Sequence, residues 1–229
     1  MKRLGIIALI LFCTSHLFAQ SENAGWVFIS HKQSIIEKLD IRADFQLRSA
    51  DKLSYLSGIL LRGALSYNLN KQNSIALGYA YLGSWEYEQD LKTSSGEQRI
   101  FEQYLKEQSF GKIESSLRIR LEQRFMQEEG ETNFSQRGRI FLSAQIPVLA
   151  NKDFSKGIYT GLQNEFFINL QKKENVNGSY FDQNRLFASL GYRWNKKIDT
   201  EFGYMYWRQN EKQGFVKRNI CQIMVTTSF

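Results

Sequence analysis

The chain has 229 residues with 42% hydrophobic and 23% charged content, one proline, two cysteines and a formal charge of +7. That length suits one ordinary domain or one barrel, and the composition excludes low-complexity, collagen-like and disulfide-rich scaffolds. Aromatic residues reach 14%, with 17 Phe, 11 Tyr and 4 Trp, a content that needs a structural reason. The chain opens on Met1, Lys2 and Arg3, followed by an almost unbroken apolar run from Leu4 to Phe12 and then small or polar residues to Ala19 and Gln20. This pattern reads as a signal peptide over 1–19, cut after Ala19. A membrane anchor would need roughly 20 apolar residues, and the run falls short. Bulky Phe12 before Cys13 argues against a lipoprotein site.

Removing Lys2 and Arg3 takes the charge from +7 to +5 and leaves Cys221 and His31 as the mature cysteine and histidine. One cysteine forms no internal disulfide. One Cys and one His supply no zinc spacing, so neither metal nor cofactor is expected. The basic excess is spread along the chain, which argues against nucleic acid.

From residue 38 onward the dominant period is two. Leu39, Ile41, Ala43, Phe45 and Leu47 alternate with Asp40, Arg42, Asp44, Gln46 and Arg48. Similar stretches occupy 55–70, 73–86, 113–125, 134–148, 156–171, 181–194, 196–208 and 216–229, and 97–110 alternates poorly but is placed as a strand by position. Soluble strands average about 5–6 residues, whereas a transmembrane strand needs about 9–11 with one apolar face. The predicted fold is therefore all-β: a transmembrane antiparallel barrel over 20–229 of about ten strands, with twelve as the alternative. Segment 24–33 stands apart as an extra strand or plug, because an eleventh full strand would spoil an even antiparallel closure. A soluble β-sandwich is the competing fold. Short turns at 70–73, 110–112 and 195–197 alternate with more polar links at 49–54, 86–96, 127–132, 171–180 and 209–215. That alternation predicts turns at the periplasm and loops outside.

Trp85, Tyr192, Trp194, Tyr204 and Phe229 fall on the outward parity, suiting aromatic belts at a bilayer interface. The inward parity collects Arg118, Arg120, Glu122, Arg124, Arg137, Arg139, Glu165 and Arg185, with Arg42, Arg48, Arg62, Arg193, Asp40, Asp44, Glu114 and Glu201. Charges in a small lumen are expected to pair into a network. The acidic segments Glu86, Glu88, Asp90 and Glu128, Glu129, Glu131 read as solvated loops, with a divalent cation as the alternative. His31 lies toward the periplasmic turns, so a His-dependent hydrolase on the outer leaflet is disfavoured.

Five motifs carry a resemblance: LRIRLEQRF (117–125), LQNEFFIN (162–169), FDQNRLF (181–187), GYRW (191–194) and GYMY (203–206). In this order they resemble an uncharacterised family of outer-membrane β-barrel proteins, domain of unknown function 2490, over nearly all of 26–229. The resemblance implies an outer-membrane location in a Gram-negative bacterium and supplies no activity. It adds the suspicion that Glu122, Arg124, Glu165 and Arg185 matter inside the barrel. Asn164 and Asn184, in the same motifs, have outward parity near strand ends. The C-terminal Thr226, Thr227, Ser228 and Phe229 resemble the signal read by the barrel-insertion machinery of that membrane. The expected role is structural or binding, in a monomer with a charge-filled lumen whose partners are membrane lipids and that machinery. The alternatives are a narrow porin-like channel for small solutes and, as the enzymatic reading, a barrel modifying lipid or lipopolysaccharide at the outer leaflet.

Overall fold

The structure, a computed structural model, describes residues 21–88, 91–128 and 130–229. The 1–19 segment read as a signal peptide lies outside these residues. Eleven strands form one closed barrel: β1 (Ser21–Ile36), β2 (Leu39–Ala50), β3 (Tyr55–Asn68), β4 (Asn73–Glu88), β5 (Leu91–Phe110), β6 (Ile113–Glu128), β7 (Glu131–Ala150), β8 (Gly157–Gln171), β9 (Phe181–Asn195), β10 (Ile198–Glu211) and β11 (Gly214–Ser228). Neighbours in sequence pair antiparallel from β1 to β11, and β1 closes the ring by pairing parallel with β11, Ser21 opposite Lys217 through Lys32 opposite Ser228.

The expected counts of ten or twelve are corrected to eleven. Segment 24–33, read as an extra strand or a plug, is part of the wall strand β1 and not a plug. The assumption that failed was an all-antiparallel ring, since a parallel seam closes an odd number of strands. At the seam the Phe229 amide donates to the Lys32 carbonyl at 2.9 Å and the Ser34 amide donates to the Phe229 carbonyl at 2.7 Å. His31 Nδ1 and Thr227 Oγ1, 2.7 Å apart, add a side-chain hydrogen bond. The chain thus enters at one rim with Ser21 and leaves at the other with Phe229; these are called the N-terminal and C-terminal rims below.

The connections also differ from expectation. Polar residues expected in loops at 86–96, 127–132 and 209–215 mostly continue the strands, so β5 and β7 each reach 20 residues. The connection at 212–213 is as tight as those at 111–112 and 196–197 on the opposite rim. Longer links occur once at each rim, at 151–156 on the C-terminal rim and 172–180 on the N-terminal rim. Gly111, with φ 61°, turns β5 into β6 in the left-handed region that glycine adopts without Cβ strain. Pro147, which cannot donate to a ladder, sits where β7 and β8 shift register between Pro147 and Leu149.

The barrel's polarity is reversed relative to a water-soluble domain. Outward side chains are apolar and exposed, among them Leu77 at 60%, Leu190 at 62% and Phe202 at 60%. Inward side chains include arginine, glutamate and glutamine, with apolar contacts limited to small clusters such as Trp26, Phe187, Met205 and Ile220.

Candidate functional site: the charged lumen

Alternation along β6 turns Glu114, Ser116, Arg118, Arg120, Glu122 and Arg124 to the inside, and the same period on β7 adds Arg137 and Arg139. Antiparallel register then sets carboxylates against them. Glu122 faces Arg137 across the β6–β7 ladder, and Glu165 faces Arg185 across β8–β9.

Glu122, 1% exposed, accepts from Arg137 at 2.6 and 3.0 Å and from Arg139 at 2.5 Å. Arg137 also donates to Asp182 at 2.8 Å. Glu165 Oε1 accepts from Arg118 Nη2 at 2.7 Å and from Arg139 at 2.7 and 3.0 Å. Glu97 takes Arg99 at 2.7 and 2.8 Å and Arg124 at 2.5 and 3.1 Å. Arg62 pairs with Asp44 at 2.6 Å.

Three guanidiniums of this layer lack such a carboxylate bond. Arg120 donates to the Gln103 amide at 2.5 and 3.0 Å and stacks 4.1 Å over Phe101, while its buried Nη1 makes no hydrogen bond and only a looser ion pair with Glu122 at 3.7 Å. Arg48 donates to the Gln46 amide at 2.7 and 2.9 Å, and Arg185 reaches the Gln183 amide at 3.3 Å. Both lie over the Trp26 ring, at 4.4 and 5.3 Å, and Arg185 also covers Trp207 at 4.5 Å. Among the described residues of this layer, five carboxylates (Asp44, Glu97, Glu122, Glu165, Asp182) face nine guanidiniums.

All eight residues expected in the lumen network thus line or underlie one interior. Seven of them hydrogen-bond within it around Glu97, Glu122, Glu165 and Gln103, while Arg185 sits apart from its facing Glu165 and stacks on tryptophan. Glu97, Arg99, Asp182 and the inward Trp26 and Trp207 were missed. The β5 pair was hidden because Gln98 and Glu102 point outward while Phe101 and Leu105 point in, so neither face reads cleanly. Parity shared with Glu201 and Met205 could have found Trp207.

A cavity of about 1530 Å³ occupies the lumen. It runs from Glu22, Lys52 and Tyr87 at the N-terminal rim, past the arginine layer, to Lys32 and Arg42 near the C-terminal rim. Lys32 pairs there with Asp40 at 3.4 Å and Arg42 with Glu107 at 3.8 Å. The β7–β10 side of that rim is filled instead. Hydrogen bonds among Asn151, Asp153 and Ser155 shape the 151–156 loop, and the Ser155 hydroxyl holds the Asp153 carboxyl below the usual carboxylate range. The loop presents Phe154, 3% exposed, edge-on to Tyr159 at 5.6 Å. Arg193 caps Phe154 at 3.9 Å and ties Glu114 to Asp199 with hydrogen bonds of 2.9–3.0 Å. Behind it Glu201 accepts from Tyr159 at 3.0 Å and Ser189 at 2.5 Å.

The expected belt aromatics all face out. Trp85 lies toward the N-terminal rim, while Tyr192, Trp194 and Phe229 lie toward the C-terminal rim, with Trp194 donating to Thr200 at 3.1 Å. Tyr204 sits halfway along β10 rather than toward either rim, and donates to Asn219 of β11. Asn164 lies at the middle of β8 rather than near its end, Asn184 lies near the start of β9, and their side-chain amides exchange two hydrogen bonds of 3.3 Å on the outer face. No group of His, Cys, Asp or Glu suited to a metal ion occurs among the described residues, and Asp90 and Glu129 of the two acidic segments lie outside them.

The family model described as protein of unknown function (DUF2490) matches residues 23–218. The chain belongs to this family. The match takes in the whole arginine layer and both tryptophans of the lumen, and stops before the last residues of β11. No curated protein and no solved structure matches the chain.

Proposed function

We propose that this family member is a small, monomeric outer-membrane β-barrel with a charge-filled lumen and a structural or binding role. The observation that carries the reading is the reversed polarity: a closed sheet with leucine, isoleucine and phenylalanine exposed outside and paired charges within. Such a surface is unfavourable in water and favourable in lipid, and closure leaves no unpaired strand edge to desolvate. Strands of 12–20 residues exceed the roughly 9–11 that a crossing needs. The signal-peptide pattern at 1–19 and the terminal Phe229 fit export and insertion by the outer-membrane machinery, with lipids as the surrounding partner. In this orientation the C-terminal rim faces the periplasm.

The ion-paired layer and the Phe154 plug favour a chamber over a wide pore, since an open aqueous channel usually takes about 16 strands or more. A narrow channel for small solutes is the second reading, favoured by a cavity that reaches close to both rims on the β1–β3 side. Single-channel conductance of the refolded mature chain in planar bilayers separates the two. Folding is checked first by the mobility shift between heated and unheated samples on a gel. The binding reading expects a folded barrel without steady conductance. Steady conductance that changes ion preference in Arg124→Ala replaces it with the channel reading.

A further inference from the structure

We infer that the lumen holds a binding site for an oxyanion, a phosphate or carboxylate group, formed by Arg48 and Arg185 around Trp26 and Trp207. This deepens the binding reading above and rests on it. Both guanidiniums lie over the Trp26 ring, and neither has a carboxylate within ion-pair distance among the described residues. Their hydrogen-bond partners are the neutral amides of Gln46 and Gln183, which satisfy part of each fork without cancelling its charge. Arg185 Nε is buried without a hydrogen-bond partner.

Like-charged guanidiniums crowded on one aromatic platform repel one another, and their neutral partners offset little of that cost. A chain that needed only a packed interior would gain by placing a carboxylate there, as it does with Glu122 for Arg137 and Arg139. The excess of guanidiniums over carboxylates in the layer is the charge that a bound anion would balance. Aromatic rings cover the guanidinium faces, leaving in-plane N–H groups for a forked acceptor, the geometry in which arginine binds phosphate and carboxylate. The cavity extends to the exposed Glu22, Lys52 and Tyr87, so a solute has a route in from the N-terminal rim. Trp26 and Trp207, 5.5 Å apart edge-to-face, would flank an organic body attached to the anion.

The test uses the full mature chain refolded in detergent, with tryptophan fluorescence as the readout and ionic strength held constant with chloride. Inorganic pyrophosphate and citrate are the soluble probes, and a short-chain phosphatidic acid is the lipid probe. The expected result is saturable binding of at least one probe, weakened about tenfold or more in Arg48→Gln and in Arg185→Gln. Arg208→Gln, an arginine on the outer face beside Phe215, should bind like the parent. Saturation by the soluble probes assigns a dissolved ligand, and saturation by the lipid probe alone assigns a headgroup; both support the site. If a glutamine variant fails to fold, Arg48→Lys and Arg185→Lys keep the charge but lose the planar fork, and weaker binding is still expected. A folded barrel with no saturable change, or variants that bind like the parent, overturns the site. That failure leaves the outer-membrane reading standing, because the latter is decided separately by whether lipid shields the outer face at Cys221.

Discussion

Glu122 accepts two hydrogen bonds from Arg137, at 2.6 and 3.0 Å, with its own side chain 1% exposed. Removing that carboxylate would leave Arg137 with Asp182 alone and Arg139 with Glu165 alone, two buried guanidiniums each short of a partner. Breaking a buried pair costs about 3–5 kcal/mol. Glu122→Ala should therefore lower the unfolding temperature in detergent well below that of the parent, and Glu165→Ala should do the same by stranding Arg118 and taking one of the two carboxylates of Arg139. Glu22→Ala is the contrast. Its partner Arg218 sits at the rim with Glu22 55% exposed, so the change should stay within about 1 kcal/mol. Equal melting of all three variants would contradict the network.

Cys221 is exposed on the outer face of β11, between Gly25 of β1 and Tyr204 of β10. In a lipid-embedded barrel this mid-strand thiol faces hydrocarbon. In vesicles it should resist a charged, membrane-impermeant maleimide and react with a lipophilic one. Rapid labelling by the charged reagent in intact vesicles would sink the membrane placement.

Gly191 lies so close to Tyr159 that an added Cβ would clash with its Cζ, Cε2 and hydroxyl oxygen. Gly191→Ala should displace Tyr159 from Glu201 and loosen the plug, costing about 1–3 kcal/mol by overpacking. Gly63→Ala is the matched control, with nothing within 4 Å of its added carbon. Thermal unfolding that fails to separate the two variants would remove Tyr159 as a packed element of the plug.

Deleting Phe229 removes both backbone hydrogen bonds that fasten the end of β11 to β1, and the ring that Lys197 covers at 4.9 Å. The net loss should be about 1–3 kcal/mol. It should be visible as a lower fraction of heat-resistant species after refolding. A truncated chain that refolds like the parent would mean that the seam closes without this clamp.

The faces of β6 were legible because each alternate residue is decisively apolar or charged: Leu117, Ile119 and Leu121 outward, Arg118, Arg120 and Glu122 inward. β5 was not, because its outward Gln98 and Glu102 are satisfied by Tyr79 and Gln123 across the ladder rather than being apolar. A pairwise hydrogen bond on the outer wall has no signature in a single strand's alternation. The eleventh strand was found but misplaced. Residues 25–33 carry the period, yet their partner in β11 lies nearly 200 residues away, and nothing local encodes a parallel register. Polarity at 86–96 and 209–215 predicts loops, but these residues largely stay in the β4–β5 and β10–β11 ladders, because cross-strand pairing satisfies their backbone whatever the polarity of the side chains. The uneven sharing of charge around Arg48 and Arg185 required three-dimensional neighbours to see.

If the barrel sits in the outer membrane as proposed, its odd strand count places the two ends of the barrel on opposite sides of that membrane. In an even barrel both termini stay on the side from which the chain arrives, and each hairpin carries its own two strands through. Here β1 belongs to no pair at that rim, and Ser21 stands opposite Phe229's side of the wall. If β2 to β11 insert as five hairpins, β1 must be threaded alone, carrying Glu22 and Asn23 to the far side before Arg218 can receive the carboxylate. The last bond the barrel makes with itself is then the one that commits its beginning to the outside. A peptide tag placed ahead of Ser21 should accordingly be reached by antibody on intact cells, while a tag after Phe229 should not.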